Sequence, residues 1–389
     1  VYGADAPVAI NETNFPDAVF REYVKNSFDT DSNEELSVSE MESVTQVDVT
    51  GQNITDMTGI EYFINLRALF CGENKLSSLD VSKNTALEEL SCGENKLSSL
   101  DVSKNTALKR LVCEVGNLSS LDVSQNTALE RLSCGYNNLS SLDVSQNTAL
   151  EILDCNGNKL SSLDVSQNTT LDGLACGRNQ LSSLDVSQNT ALESLYCDYN
   201  NLSSLDVSRN TALDNLQCFE NNLSSLDVSQ NTALETLRCN GNKILLPLYQ
   251  SGSEYYIDLS SLPLDTGRVI NPSVGSYNAE NGHIEGLTLD INGSSLTYQY
   301  NVDLKGRIME VTVNISGEPI KAEVTEEPST EGTTEKQDSV QATTQNTQAE
   351  KTSQNTPKTG DTMLPVWIAI LGLFSTVSYL IVKKRSGIK

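Results

Sequence analysis

The sequence predicts a β-rich solenoid with a small helical N-terminal cap and a C-terminal β domain, followed by a disordered stalk and one transmembrane helix. Three observations carry that prediction. The cysteines at 71, 92, 113, 134, 155, 176, 197, 218 and 239 recur every 21 residues, which is the self-similarity of a stacked repeat. Within each repeat a short run such as Glu89-Leu90-Ser91-Cys92-Gly93 alternates polar and apolar residues, burying one face of a strand and freeing the other. Only 38% of the 389 residues are apolar and 5% aromatic, too few for one large globular core, so the mass is organised as a thin continuous one.

Residues 1–43 form the cap. The opening VYGADAPVAI reads as the end of an export signal. Phe15, Val19, Phe20, Tyr23, Val24 and Phe28 fall at helical intervals, with Pro16 suited to the first turn, and predict an amphipathic helix over 14–28 that covers the open end of a solenoid. Next comes DTDSNEELSVSE, residues 29–40, which resembles the EF-hand loop. Asp29, Asp31 and Asn33 stand at its first, third and fifth positions, the Glu35 carbonyl at the seventh, Ser37 at the ninth and Glu40 at the twelfth. Oxygen ligands at this spacing suit a structural calcium that locks the cap. Glu34 occupies the sixth position, where a sharp turn favours Gly. Ser37 with Glu40 reads equally as a capping box that opens a helix without any metal.

Residues 44–244 carry the repeat LxxLxCxxNxLxxLDVSxNTA. The stretch LxxLxCxxNxL resembles a leucine-rich repeat, in the short bacterial form of internalin-like surface proteins with Cys in place of one Leu. The resemblance implies parallel coils with a concave strand face that binds partners. Coils stacked about 4.8 Å apart bury their leucines in one shared interior and make a rod of roughly 40 Å. Cys is a small, usually buried residue, so the nine thiols read as core packing; neighbouring side chains run parallel, which gives a disulfide a poor dihedral. Asn74, Asn95, Asn137, Asn158, Asn179, Asn200, Asn221 and Asn242 sit where the chain turns out of the strand, with Gly at 116, and their amides can bond the backbone of adjacent coils. LDVS is the return segment. Its aspartates, Asp80 to Asp227, make a like-charge column that backbone N–H groups or cations must offset.

Residues 245–316 alternate in short runs separated by Gly, Asn and Asp and predict a small antiparallel β domain covering the last coil. Tyr255, Tyr256, Tyr298 and Tyr300 leave glycan binding open there. Residues 317–356 are rich in Ser, Thr, Gln and Glu and predict a tether. In 357–389, Met363 to Val382 is an apolar stretch of 20 residues before Lys383, Lys384 and Arg385, the pattern of a membrane helix with a cytoplasmic tail. Thr356-Pro357-Lys358-Thr359-Gly360 just upstream resembles the LPXTG cell-wall sorting signal of Gram-positive bacteria, with Thr356 where Leu is usual. The resemblance implies that a sortase cuts between Thr359 and Gly360 and joins the chain to peptidoglycan, outside the cell.

Composition narrows the function. A formal charge of −26 repels nucleic acid. The single histidine, His283, reads as an exposed loop residue, rules out a multi-His metal site and leaves no constellation for an enzyme. On the variable strand positions Tyr136, Arg178, Tyr196, Tyr199 and Phe219 gather in the later coils, and these residue types favour interfaces; Tyr196 and Phe219 are the expected centre of one patch. The sequence therefore points to a monomeric, wall-attached protein that binds or adheres to a host or neighbouring-cell protein. A structural surface-layer spacer and a glycan-binding adhesin are the alternatives.

Overall fold

The computed structural model describes residues 6–239, 241–242 and the strand segments between Leu245 and Lys321. All of them fall within one compact unit, Val1–Ala322. The stalk beyond Lys321, the Thr356–Gly360 motif and the apolar span 363–382 lie outside the described residues. Among the described residues no helix is long and apolar enough to cross a membrane.

The N-terminal cap is built on strands β1 (Val8–Ala9) and β2 (Glu35–Leu36) and helices α1 (Ala18–Phe28) and α2 (Val38–Ser43). Helix α1 begins later than its periodicity suggests. Asp17 is the N-cap, its Oδ1 accepting from the Val19 and Phe20 N–H groups, so Pro16 lies before the helix rather than in its first turn. The buried stripe is Phe20 and Val24, and Val19, one position earlier on the helical wheel, is 44% exposed. Phe15 is fully buried from the turn ahead of the helix. Its ring fills the space beside Gly59, whose φ is +105° and where a Cβ would fall 2.3 Å from a Phe15 ring carbon; only Gly meets both demands. Phe28 meets Phe63 edge to face at 5.3 Å. The second Asp17 oxygen accepts from Thr55 at 2.9 Å, and the Tyr23 hydroxyl accepts from Asp48 N at the sheet edge. The cap thus covers both the apolar end and the unpaired backbone of the first coil.

The repeats form one parallel ladder: β3 (Gln46–Asp48), β4 (Ala68–Phe70), β5 (Glu89–Ser91), β6 (Arg110–Val112), β7 (Arg131–Ser133), β8 (Ile152–Asp154), β9 (Gly173–Ala175), β10 (Ser194–Tyr196), β11 (Asn215–Gln217) and β12 (Thr236–Arg238). From β4 on each strand pairs with the next at Leu on Leu, as Leu90 with Leu111 and Leu153 with Leu174, while β3 places Val47 on Leu69. The strand Leu column, the Val of each LDVS and every cysteine are buried, the Leu of LDVS being only partly so at Leu79 and Leu226, and all nine cysteines are free thiols. LDVS returns without strand pairing, and each Asp Oδ1 accepts from the N–H of the Ser two residues on, at 2.9 Å for Asp80 and Ser82. That bond holds the Asp80 carboxyl below its usual range, supplying the offset by backbone N–H groups that the acidic column requires.

Two asparagine columns join the coils. In the expected one, Asn95 Oδ1 accepts from Leu76 N at 2.9 Å while Nδ2 donates to the carbonyls of Cys71, Cys92 and Gly93. A second column, the Asn of each NTA or NTT triplet from Asn84 to Asn231, escapes the sequence reading. Asn147 Nδ2 donates to the carbonyls of Val123 and Asn126 at 2.9 and 2.8 Å, but the Oδ1 atoms of this column have no hydrogen-bond partner among the described residues.

The C-terminal strands join the ladder directly. Strand Ile308–Ile315 pairs in parallel with β12, Leu237 against Val311, and then antiparallel with Ser295–Asn301, so the ladder continues past residue 244. Ile320–Lys321 pairs with Tyr249 and Gln250, which carries backbone pairing past the boundary at 316. His283 opens strand His283–Leu287, not a loop. The glycan reading of Tyr255, Tyr298 and Tyr300 rests on side chains outside the described residues.

Candidate functional site

Two places carry the candidate residues: the exposed edge of the strand ladder and the acidic loop of the cap. On the ladder, the residue two after each cysteine has a positive φ. Glu73, Glu94, Val115, Tyr136, Arg178, Tyr199 and Glu220 lie between +49° and +55°, and Gly157 and Gly241 occupy the same column at +63° and +69°. A left-handed residue costs on the order of 1 kcal/mol when it carries a Cβ. The two glycines show the relaxed solution, so the large side chains elsewhere are held at a cost of the kind that marks functional positions. The sequence contained this signal, since glycine recurs in the column at 157 and 241.

The structure brings three of the five predicted residues into one cluster. The Arg178 guanidinium lies over the Tyr199 ring, 4.4 Å from its centroid, and Tyr199 meets Phe219 edge to face at 5.3 Å. Tyr199 is 42% exposed. Tyr136 leans over Gly157, where a Cβ would fall 2.7 Å from its ring. Tyr199, on a left-handed position, is a ring partner of Phe219 that the sequence reading did not name. Tyr196 is a strand residue, and its hydroxyl accepts from Asn215 Nδ2 at 3.2 Å.

Half-buried carboxylates lie beside this cluster, and the sequence reading missed them. A Cβ on Gly135 would fall 3.2 Å from Asp154 Oδ1, and one on Gly177 would fall 2.8 Å from Asp198 Oδ1; the glycines leave room for carboxylates to lie on the sheet. Desolvation, with Asp154 and Glu94 nearby, pushes the Glu114 carboxyl up to about 7, and desolvation also raises Asp198. The thiols behind the sheet offer no chemistry of their own. Burial pushes Cys92 up to about 12, so thiolate, the reactive form, is scarce at neutral pH.

In the cap, Asp29, Asp31 and Glu40 present carboxylate oxygens within 4.8 Å of one another. Asp29 accepts from the N–H groups of Asn33 and Glu34, and Asn33 Oδ1 accepts from Glu35 N at 2.7 Å. Glu35 lies in β2 and pairs with Ala9 of β1. Glu34 takes the sharp turn at φ 66°, and its side chain pairs with Lys25 at 2.7 Å. Glu40 also completes the capping box of α2 with Ser37, while its Oε1 accepts from Thr30 N and Oγ1; the Thr30 hydroxyl first among these holds its carboxyl down at about 2. Hard oxygens in this number fit calcium. All six carboxylate oxygens of Asp29, Asp31 and Glu40 already accept hydrogen bonds from the loop and its flanks, Asp31 from Asn33 and Glu40 from Thr30 and Ser37.

The strand ladder, the capped end and the exposed edge together define a leucine-rich repeat solenoid, and comparison with known proteins narrows it to an internalin-like fold. The chain is similar to Internalin J of Listeria monocytogenes serotype 4b (strain F2365), 41% identical over 71 residues, which are 18% of this chain and 8% of that relative. Among solved structures, the functional domain of InlJ from Listeria monocytogenes, which includes a cysteine ladder, superposes with a TM-score of 0.60 at 25% identity over 82% of this chain and 100% of that one. An internalin, InlF, from Listeria monocytogenes strain 4b F2365 shares the fold with a TM-score of 0.52 at 24% identity, over 62% of this chain and 80% of that one. No family model matches the chain.

Proposed function

We propose that the chain is a monomeric, wall-attached bacterial surface protein whose solenoid binds or adheres to a protein of a host or neighbouring cell. The Arg178, Tyr199 and Phe219 cluster carries this reading: Arg178 and Tyr199 stand exposed on left-handed positions that glycine occupies without strain, and Phe219 packs against Tyr199 from the next coil. The internalin-like fold supports it, and a mere spacer gains nothing from strain held at its surface. Sortase attachment through Thr356–Gly360, with cleavage after Thr359, would display the face away from the wall. A C-terminal peptide ending at Thr359, recovered after wall digestion, checks that step. Calcium at Asp29 and Asp31, with Asn33, the Glu35 carbonyl and Glu40 completing the set, would serve to hold the cap. Its measure is the melting temperature, which rises with calcium for the native chain and not for Asp31→Asn.

The binding reading is tested by displaying the native chain and a Tyr199→Gly plus Arg178→Gly variant on cells and comparing adhesion to host monolayers and to neighbouring bacteria. Adhesion falls with the variant if the cluster is the contact; equal adhesion at equal display overturns the assignment.

A further inference from the structure

The later coils carry a pattern of charge beside their rings. The residue four before each cysteine forms a column at the entrance to the strands, and its backbone N–H bonds to the same residue of the preceding coil, as in Glu151 to Glu130 and Glu193 to Asp172. In the first coils the column is Arg67, Glu88 and Lys109, and Glu88 pairs with both neighbours at 2.8 Å. From the fourth coil on it is Glu130, Glu151, Asp172, Glu193, Asp214 and Glu235. Stacked about 4.8 Å apart, like charges repel, and the first coils show that this fold can mix the signs. Across the same later coils lie Asp154 and Asp198 on the sheet, with the Arg178, Tyr199 and Phe219 cluster along the far edge. Tyr199 already holds one guanidinium against its ring at 4.4 Å, which demonstrates the contact a second cation would make.

We infer that the later coils dock a cationic protein segment, its lysine or arginine side chains reaching the acidic column and the sheet carboxylates while its apolar parts rest on Tyr199 and Phe219. This rests on the binding reading above and names the chemistry of the partner.

The full-length chain is titrated with a synthetic peptide rich in arginine and serine, and with its glutamate-for-arginine counterpart, in about 50 mM and about 500 mM salt, a range over which screening of exposed charges becomes strong. Binding of the basic peptide alone is expected, weaker by on the order of tenfold in the higher salt. It should weaken at least as much in Asp154→Asn plus Asp198→Asn, and in Glu151→Gln plus Glu193→Gln should the first pair disturb the fold. Asp80→Asn plus Asp101→Asn, on the return side, removes the same charge and should leave the affinity unchanged. Equal loss in that control would assign the effect to net charge and overturn the inference, as would binding of the acidic peptide. No binding of either peptide, with adhesion still lost in Tyr199→Gly plus Arg178→Gly, would sink the cationic partner and leave the binding reading standing.

Discussion

Two columns run side by side along the ladder, one residue apart, and obey opposite rules. Three residues after each cysteine stands asparagine, with Gly116 as the single exception; two residues after, the chain uses Glu, Val, Tyr, Gly and Arg. The asparagines are buried and their side chains complete the backbone of the neighbouring coil. The residues beside them need no such help, because their own N–H groups bond carbonyls of the next coil, as Arg178 N does to Asp198 O at 2.8 Å and Tyr199 N to Phe219 O at 3.0 Å. Where the side chain must satisfy the backbone, it varies only once, at Gly116. Where the backbone is already satisfied, the side chain is released for recognition even though the conformation is strained.

The comparison breaks most sharply at Asn158→Ala. That change strands the buried Leu139 N–H and strips the donors to the Cys134 and Cys155 carbonyls, and urea unfolding should show a loss of about 3 kcal/mol. Asn147→Ala, in the second column, should cost only about 1 kcal/mol. The carbonyls it serves keep backbone partners, Val123 O with Asn126 N and Asn126 O with Leu129 N, and an unpartnered Oδ1 leaves with the amide. Equal losses at 147 and 158 would show that the columns are equivalent after all.

Glu114→Gln is a smaller effect and depends on pH. A carboxyl raised to about 7 in the folded state binds its proton more tightly there than in the unfolded chain, whose value is about 4.3. Its stabilising contribution is complete below the unfolded value and is lost as pH climbs toward 7. The variant should therefore be more stable than the native chain at pH 8, with the advantage shrinking as pH falls to about 4; an advantage that is constant with pH would place Glu114 in open solvent. Smallest of all, Tyr199→Gly should leave stability within about 0.5 kcal/mol, since relief of the left-handed strain offsets the added freedom of the unfolded chain. A large loss of stability there would make Tyr199 a packing residue and remove the contrast between the columns.

Much of this was legible from residue order, and the failures are specific. Val19 was misassigned because one residue of helix phase separates the buried stripe from solvent. The asparagines from Asn84 to Asn231 went unread because NTA looks like an ordinary turn, and only the coil beneath reveals that each amide spans two carbonyls. Glu114, Asp154 and Asp198 carried no motif; what makes room for them is the missing side chain at Gly93, Gly135 and Gly177, a feature of the neighbours rather than of the acids.

The period of 21, the inward cysteines and the bonded asparagine column were determined by the sequence alone, because a repeated coil multiplies each local constraint until only one arrangement buries every leucine and pairs every amide. Which exposed side chains meet was decided only by the tertiary structure. Arg178, Tyr199 and Phe219 are about one repeat apart, and they meet because the coils stack, with Arg178 and Tyr199 on left-handed positions that become neighbours in space.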